Sequence, residues 1–117
     1  MYVSRLTFHT LPGRTHEVEE KLMTLLKWVE DAGGLRPRVM RNHYGSLGAP
    51  DLVFEQEVES PATLETQIER VTAKKDFHSW AQQISALLEQ SSKRELYQIT
   101  GPHGLIVDTA GRSSPQA

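Results

Sequence analysis

The sequence contains no cysteine. That absence removes disulfide frameworks, thiolate nucleophiles, iron–sulfur sites and cysteine-based zinc sites at once, and it leaves the redox compartment open. An excess of basic residues is missing too: thirteen Lys and Arg stand against fifteen Asp and Glu, a formal net charge of -2. The chain therefore lacks the electrostatic footprint of a nucleic-acid binder. No apolar stretch is long enough to span a bilayer, and Met1-Tyr2-Val3-Ser4-Arg5 does not open a leader with a basic region and a long apolar run. A membrane partner is not expected, and a cytoplasmic location is the simplest expectation. Nucleophile elbow, Walker loop and dinucleotide fingerprint are also absent. What remains, 38% hydrophobic and 24% charged residues in 117, is the balance of one ordinary domain with little surplus for a second.

From Tyr2 to Thr10 apolar and polar residues alternate, with Tyr2, Leu6 and Phe8 on one face and Arg5, Thr7 and His9 on the other; Val3 and Ser4 break the pattern. Leu11-Pro12-Gly13 ends this strand. Val18, Leu22, Leu25, Leu26 and Val29 then recur at helical spacing, and Ala32-Gly33-Gly34 supplies the stop. Two further strands are expected over 36–44 and 51–59, joined by the turn-rich 45–50. Ser60-Pro61 starts a helix carrying Leu64, Ile68 and Val71, which breaks at 73–76 and resumes with Phe77, Trp80, Ala81, Ile84, Leu87 and Leu88. A last strand is expected over 94–100, and the domain over 1–104, with 105–117 a largely flexible tail in which Leu105-Ile106-Val107 could add an edge strand.

The order strand, helix, strand, strand, helix, strand predicts an α+β, ferredoxin-like βαββαβ fold: a four-stranded antiparallel sheet with helices on one face. Right-handed crossovers put the first and third strands in the centre. One sheet face is then uncovered. The third strand offers Leu52, Phe54 and Val58 to the helices and Val53, Glu55, Glu57 and Glu59 to the other side. A second copy of the sheet would cover that face and close a barrel, so a homodimer is expected.

Arg41-Asn42-His43-Tyr44-Gly45-Ser46, the run Phe54 to Ser60 leading into Pro61-Ala62-Thr63-Leu64-Glu65, and the spaced Phe77 and Trp80 carry a likeness. In these segments the chain resembles the dimeric α/β-barrel superfamily, with its stress-response, antibiotic-biosynthesis-monooxygenase-like (ABM-like) and NIPSNAP-like families. The resemblance implies the fold and the dimer, and activities ranging from cofactor-free oxygenases, haem-degrading enzymes and isomerases to none assigned; fold alone does not choose among them. The haem-degrading pattern has a tryptophan just before the serine that opens the second helix and a histidine one turn after the motif phenylalanine. Here those places hold Val58 and Ala81, so no haem is expected.

No two of His9, His16, His43, His78 and His103 have helical ligand spacing, so neither metal nor cofactor is expected. The remaining candidates lie on the inward sheet face, where Arg5, Thr7 and His9 face Glu55 and Glu57, with His43 and Tyr44 near the mouth. Two readings stand side by side. Arg5 and a glutamate can form a cross-strand ion pair that only sets register. Alternatively, His9 can serve as acid/base and Arg5 as partner to an anionic or enolate oxygen in a pocket. Three functions follow: a dimer binding a small organic ligand between its sheets, a cofactor-independent monooxygenase or isomerase for an enolisable aromatic or polyketide-like substrate, or a structural or partner-binding dimer. Trp28 and Trp80 read as helix-packing residues.

Overall fold

Alternation along Tyr2–Phe8 produces strand β1, and a computed structural model describes it together with the rest of residues 1–102. The boundary expected at Gly104 and the tail 105–117 lie outside the described residues. Helix α1 (Thr15–Asp31) buries its Val18, Leu22, Leu25 and Val29 stripe. It stops where Gly33 takes φ +97° and the Gly34 amide donates back to Val29 O at 2.8 Å, a left-handed ending that glycine adopts without a Cβ penalty. Strands β2 (Leu35–Arg41) and β3 (Leu52–Val58) follow, then α2 (Pro61–Thr72), α3 (Phe77–Ser85) and β4 (Lys93–Gln98). Ser60 caps α2, its Oγ accepting from the Thr63 amide at 3.1 Å.

The sheet order is β2-β3-β1-β4, antiparallel throughout, with the helices on one face. Both expected central strands are central. Phe8, Leu52, Phe54 and Val58 of the sheet meet Leu22, Leu25, Val29, Leu64, Val71 and Ile84 of the helices as the buried core. Each such side chain, taken out of water, contributes about 1.5–3 kcal/mol. Trp28, Phe77 and Trp80 pack edge-on and tilted, with centroids 5.6–6.3 Å apart, and the Trp80 indole donates to Lys21 O at 2.9 Å.

Four strand ends differ from the sequence reading: β3 stops at Val58 rather than Glu59, and at β1 and β2 another partner takes over the backbone. β1 stops at Phe8 rather than Thr10, because the Thr10 amide donates to Asp51 Oδ2 at 2.8 Å and His9 O accepts from the Glu89 amide at 2.8 Å. β2 stops at Arg41 rather than Tyr44, where the Asn42 amide and side chain turn to Asp51 O and Pro50 O. β4 ends at Gln98 rather than Thr100. The break in alternation at Val3 and Ser4 is one of composition only. Backbone pleating keeps period two, so Ser4 is buried under the helices and Val3, opposite Glu57, stands on the open face.

Candidate functional site

The two faces of the sheet have opposite chemistry. On the open face the ladder places Arg5 of β1 opposite Glu55 of β3, and Arg38 of β2 opposite Glu55 from the other side. Glu55 is buried, 6% exposed, and held between the two guanidinium groups: Arg5 donates to Oε1 at 2.8 and 3.0 Å, and Arg38 donates to Oε2. Glu57 takes Arg36 and a longer contact from Arg38 at 3.3 Å. A bulge between Leu35 and Arg38 sets this up, since Arg36 adopts φ +49°, a left-handed conformation unusual for arginine.

Electrostatics follow from that geometry. Burial by itself would raise the Glu55 carboxyl, but the hydrogen bonds from Arg38 and Arg5 outweigh it and hold its pKa low. The Arg36 hydrogen bond, aided by Arg38 and opposed by burial, pulls Glu57 from an ordinary 4.5 to about 2. Both carboxylates stay ionised, with their lone pairs occupied by arginine. At β4, Arg5 also lies 5.6 Å from the centroid of the Tyr97 ring, and Tyr97 donates to Glu95 at 2.9 Å.

Of the residues nominated from sequence, Arg5, Glu55 and Glu57 are brought together on this face. Thr7 shares it, opposite Val53. His9 lies just past the end of β1, its Nε2 3.1 Å from Gly48 O and its Nδ1 3.0 Å from the Gln90 side chain. His43 and Tyr44 sit in the β2–β3 loop, ring against ring at 4.6 Å, with Tyr44 exposed. Neither they nor His9 reach the Arg–Glu ladder through any hydrogen bond or ion pair among the described residues.

The other side of the sheet carries a cavity partly open to solvent. Between the sheet and α2–α3 is a cavity of about 280 Å³, walled mainly by aliphatic and aromatic side chains such as Phe8, Phe54, Phe77, Trp80 and Ile84. A few polar groups interrupt that wall. Gln56 of β3 and Gln67 of α2 are each 4% exposed, and the Oε1 of each has no hydrogen-bond partner among the described residues. Arg94 of β4 also lines the cavity and donates to Ser4 Oγ at 2.5 Å. β4 is an edge strand and Arg94 is an exposed residue; partial desolvation of its guanidinium beside Ser4 lowers its pKa.

None of the nominated site residues lines this cavity. Sequence reading also passes over Arg36 and Arg38, which follow from pairing β2 onto β3 once that register is known. Gln56 and Gln67 did leave a signal. Each is a polar residue in an apolar series, Leu52-Phe54-Gln56-Val58 by twos and Leu64-Gln67-Ile68-Val71 by helical turns.

No protein-family model matches the chain, and no curated protein sequence does. Solved structures do. An uncharacterized NIPSNAP domain protein from Burkholderia xenovorans superposes with a TM-score of 0.71 at 17% identity, over 86% of this chain and 96% of its own. An antibiotic biosynthesis monooxygenase gives 0.60 at 17%, over 85% and 98%. PA3566 from Pseudomonas aeruginosa gives 0.62 at 20%, over 84% and 93%. The chain has the α+β ferredoxin-like fold of these structures. At these identities the likeness establishes architecture and no activity. The two faces of the sheet are separate candidates, one ion-paired and open, the other apolar and partly covered by the helices. Among the described residues no helix is long and apolar enough to cross a membrane.

Proposed function

We propose that the protein is a homodimer of α/β-barrel subunits in which each subunit binds a small organic molecule under its helices, while the open sheet face serves the contact with the second copy. The observation that carries this reading is the 280 Å³ cavity. Ligand sites are concave, mostly apolar and dotted with a few convergent polar groups, and this volume lies near the small end of their range. The open face supports the other half of the proposal: the Arg5–Glu55 pairing required by an architectural role is present, and its charges are already satisfied within one chain.

Binding is favoured over the oxygenase or isomerase reading by what the cavity offers a substrate. Proton abstraction from an enolisable carbon needs a base within hydrogen-bond reach. The described lining residues include no histidine and no carboxylate, and their one ionisable group is the Arg94 guanidinium. His9, nominated as acid/base, has both ring nitrogens engaged at the end of β1.

Ala81 lines the cavity, so Ala81→Leu fills part of it with little call on the fold. Small aromatics such as indole or benzyl alcohol, added to the isotope-labelled protein, are expected to shift the Trp80 indole and the Gln56 and Gln67 side-chain amide resonances saturably. The Ala81→Leu variant is expected to lose those shifts. Saturable shifts confined to Arg5 and Thr7 would move the ligand to the open face and overturn the assignment.

A further inference from the structure

Thr72, Ser85, Ser91 and Ser92 also line the cavity, but two of its polar residues, Gln56 and Arg94, converge on the buried Ser4 beneath it. Gln56 stands directly opposite Ser4 across the β1–β3 ladder, and Ser4 is also where the Arg94 guanidinium lands from β4. Directly opposed residues on one sheet face have Cβ atoms about 5 Å apart. Gln56, Ser4 and Arg94 thus form one polar strip across three strands, and Gln67 of α2 lines the same cavity. The aromatic residues Phe8, Phe77 and Trp80 complete the wall.

Two features of the strip are unresolved within the chain. Two amide oxygens are buried without a donor among the described residues, a condition that is rare because the lost hydration is not replaced. Arg94, moreover, is a guanidinium on a cavity wall whose hydrogen-bond partner is a neutral hydroxyl. Arg5, Arg14, Arg36, Arg38 and Arg41 each hold a carboxylate, whereas among the described residues Arg94, like Arg70 on the exposed side of α2, has none within ion-pair distance. Although the residue is exposed, partial desolvation of the guanidinium without a carboxylate partner works against its charge. Packing alone explains neither feature, since an apolar side chain at 56, 67 or 94 would fill the same wall without these penalties.

We propose that the cavity takes a small aromatic carboxylate bearing a hydroxyl or N–H donor, its carboxylate on Arg94, its donor on the Gln56 and Gln67 amide oxygens, and its ring among Phe8, Phe77 and Trp80. This rests on the reading of the cavity as a ligand site and names the class of ligand. Arginine presents a fork of N–H donors that matches a carboxylate. The two oxygens can only accept, so they require a donor on the ligand.

The test uses the full-length protein and four probes differing by one group: 3-hydroxybenzoate, benzoate, 3-hydroxybenzamide and phenol, with affinities read by calorimetry or amide chemical shifts. A hydrogen bond to a charged group carries about 1.5–3 kcal/mol, so 3-hydroxybenzoate should bind about tenfold or more tighter than 3-hydroxybenzamide. It should also outbind benzoate. In Arg94→Met the preference for the carboxylate should vanish while phenol binding persists, and in Gln67→Leu the preference for the hydroxyl should vanish while the carboxylate preference persists. The wild-type series stands alone should either variant fail to fold. If phenol and the benzamide bind under the helices with no advantage for the carboxylates, the proposed ligand class is wrong and the cavity reading survives. If no probe shifts the cavity resonances, both fall together.

Discussion

Single residues decide how the site is spaced. Gly34 is the clearest case, because a Cβ there would lie 2.3 Å from Val29 Cγ1, 2.6 Å from Gln56 Oε1 and 3.1 Å from Val29 O. The turn that ends α1 therefore presses directly on one of the two unpartnered amides of the cavity. Gly34→Ala should destabilise the protein by about 1–3 kcal/mol through overpacking, and the Gln56 side-chain amide resonance should move with it. An unchanged denaturation midpoint with an unchanged Gln56 resonance would mean that this corner is looser than its distances imply. Gly33, by contrast, is required by its φ of +97° and has nothing within 4 Å of a Cβ, so its role is conformational alone.

At the scale of elements, three strands share one electrostatic device. Arg5 on β1, Glu55 and Glu57 on β3, and Arg36 and Arg38 on β2 alternate in sign across the open face, and opposite charges placed directly across a ladder support register. The carboxyl pKa values are depressed in the folded chain, so folding favours the ionised forms and the unfolded chain binds protons first as pH falls. The contribution is therefore present in full above the ordinary value of 4.5 and is lost as pH drops through about 2, the folded value for Glu57. Urea midpoints measured from pH 5 down to pH 2 should fall steadily. In Glu57→Gln, which has no carboxyl to protonate at that position, the decline should be shallower; an identical slope would show that Glu57 is not the group responsible.

For the whole molecule, the helices cover one face of the sheet and leave the other to something else. The Arg–Glu ladder is flanked on that face by Val3 and by the exposed Met40 and Tyr97. Stable interfaces of this kind bury more than about 1,000 Å² in total, which is enough to persist at micromolar concentration. Sedimentation velocity at that concentration should give a species of twice the 13.2 kDa chain mass. A monomer alone would leave the open face solvated and remove the contact with a second copy from the proposed function. Cavity and interface lie on opposite faces of one sheet, so occupying the cavity should leave the dimer unchanged.

Local periodicity carries a fold a long way. The α1 stripe, the Ser60 cap with Pro61 at the first turn, the break at 73–76 and the two-residue alternation of β3 are all properties of neighbouring residues, and they determined the element order, the helix-covered face and the charged face before any pairing was known. What they could not determine was which strand meets which residue. Glu55 reads equally well as a partner for Arg5 alone, and only the β2–β3 register, shifted by the bulge at Arg36, adds Arg38 and surrounds the carboxylate. The cavity was hidden for the same reason. Gln56 and Gln67 are eleven positions apart, and Arg94 lies 27 beyond Gln67; no window of the sequence contains them together. Thr7 and Arg5 were legible because they share one strand face, and the same alternation carried His9 one residue past the strand's end, whereas a pocket assembled from β3, α2 and β4 exists only once helices close over the sheet.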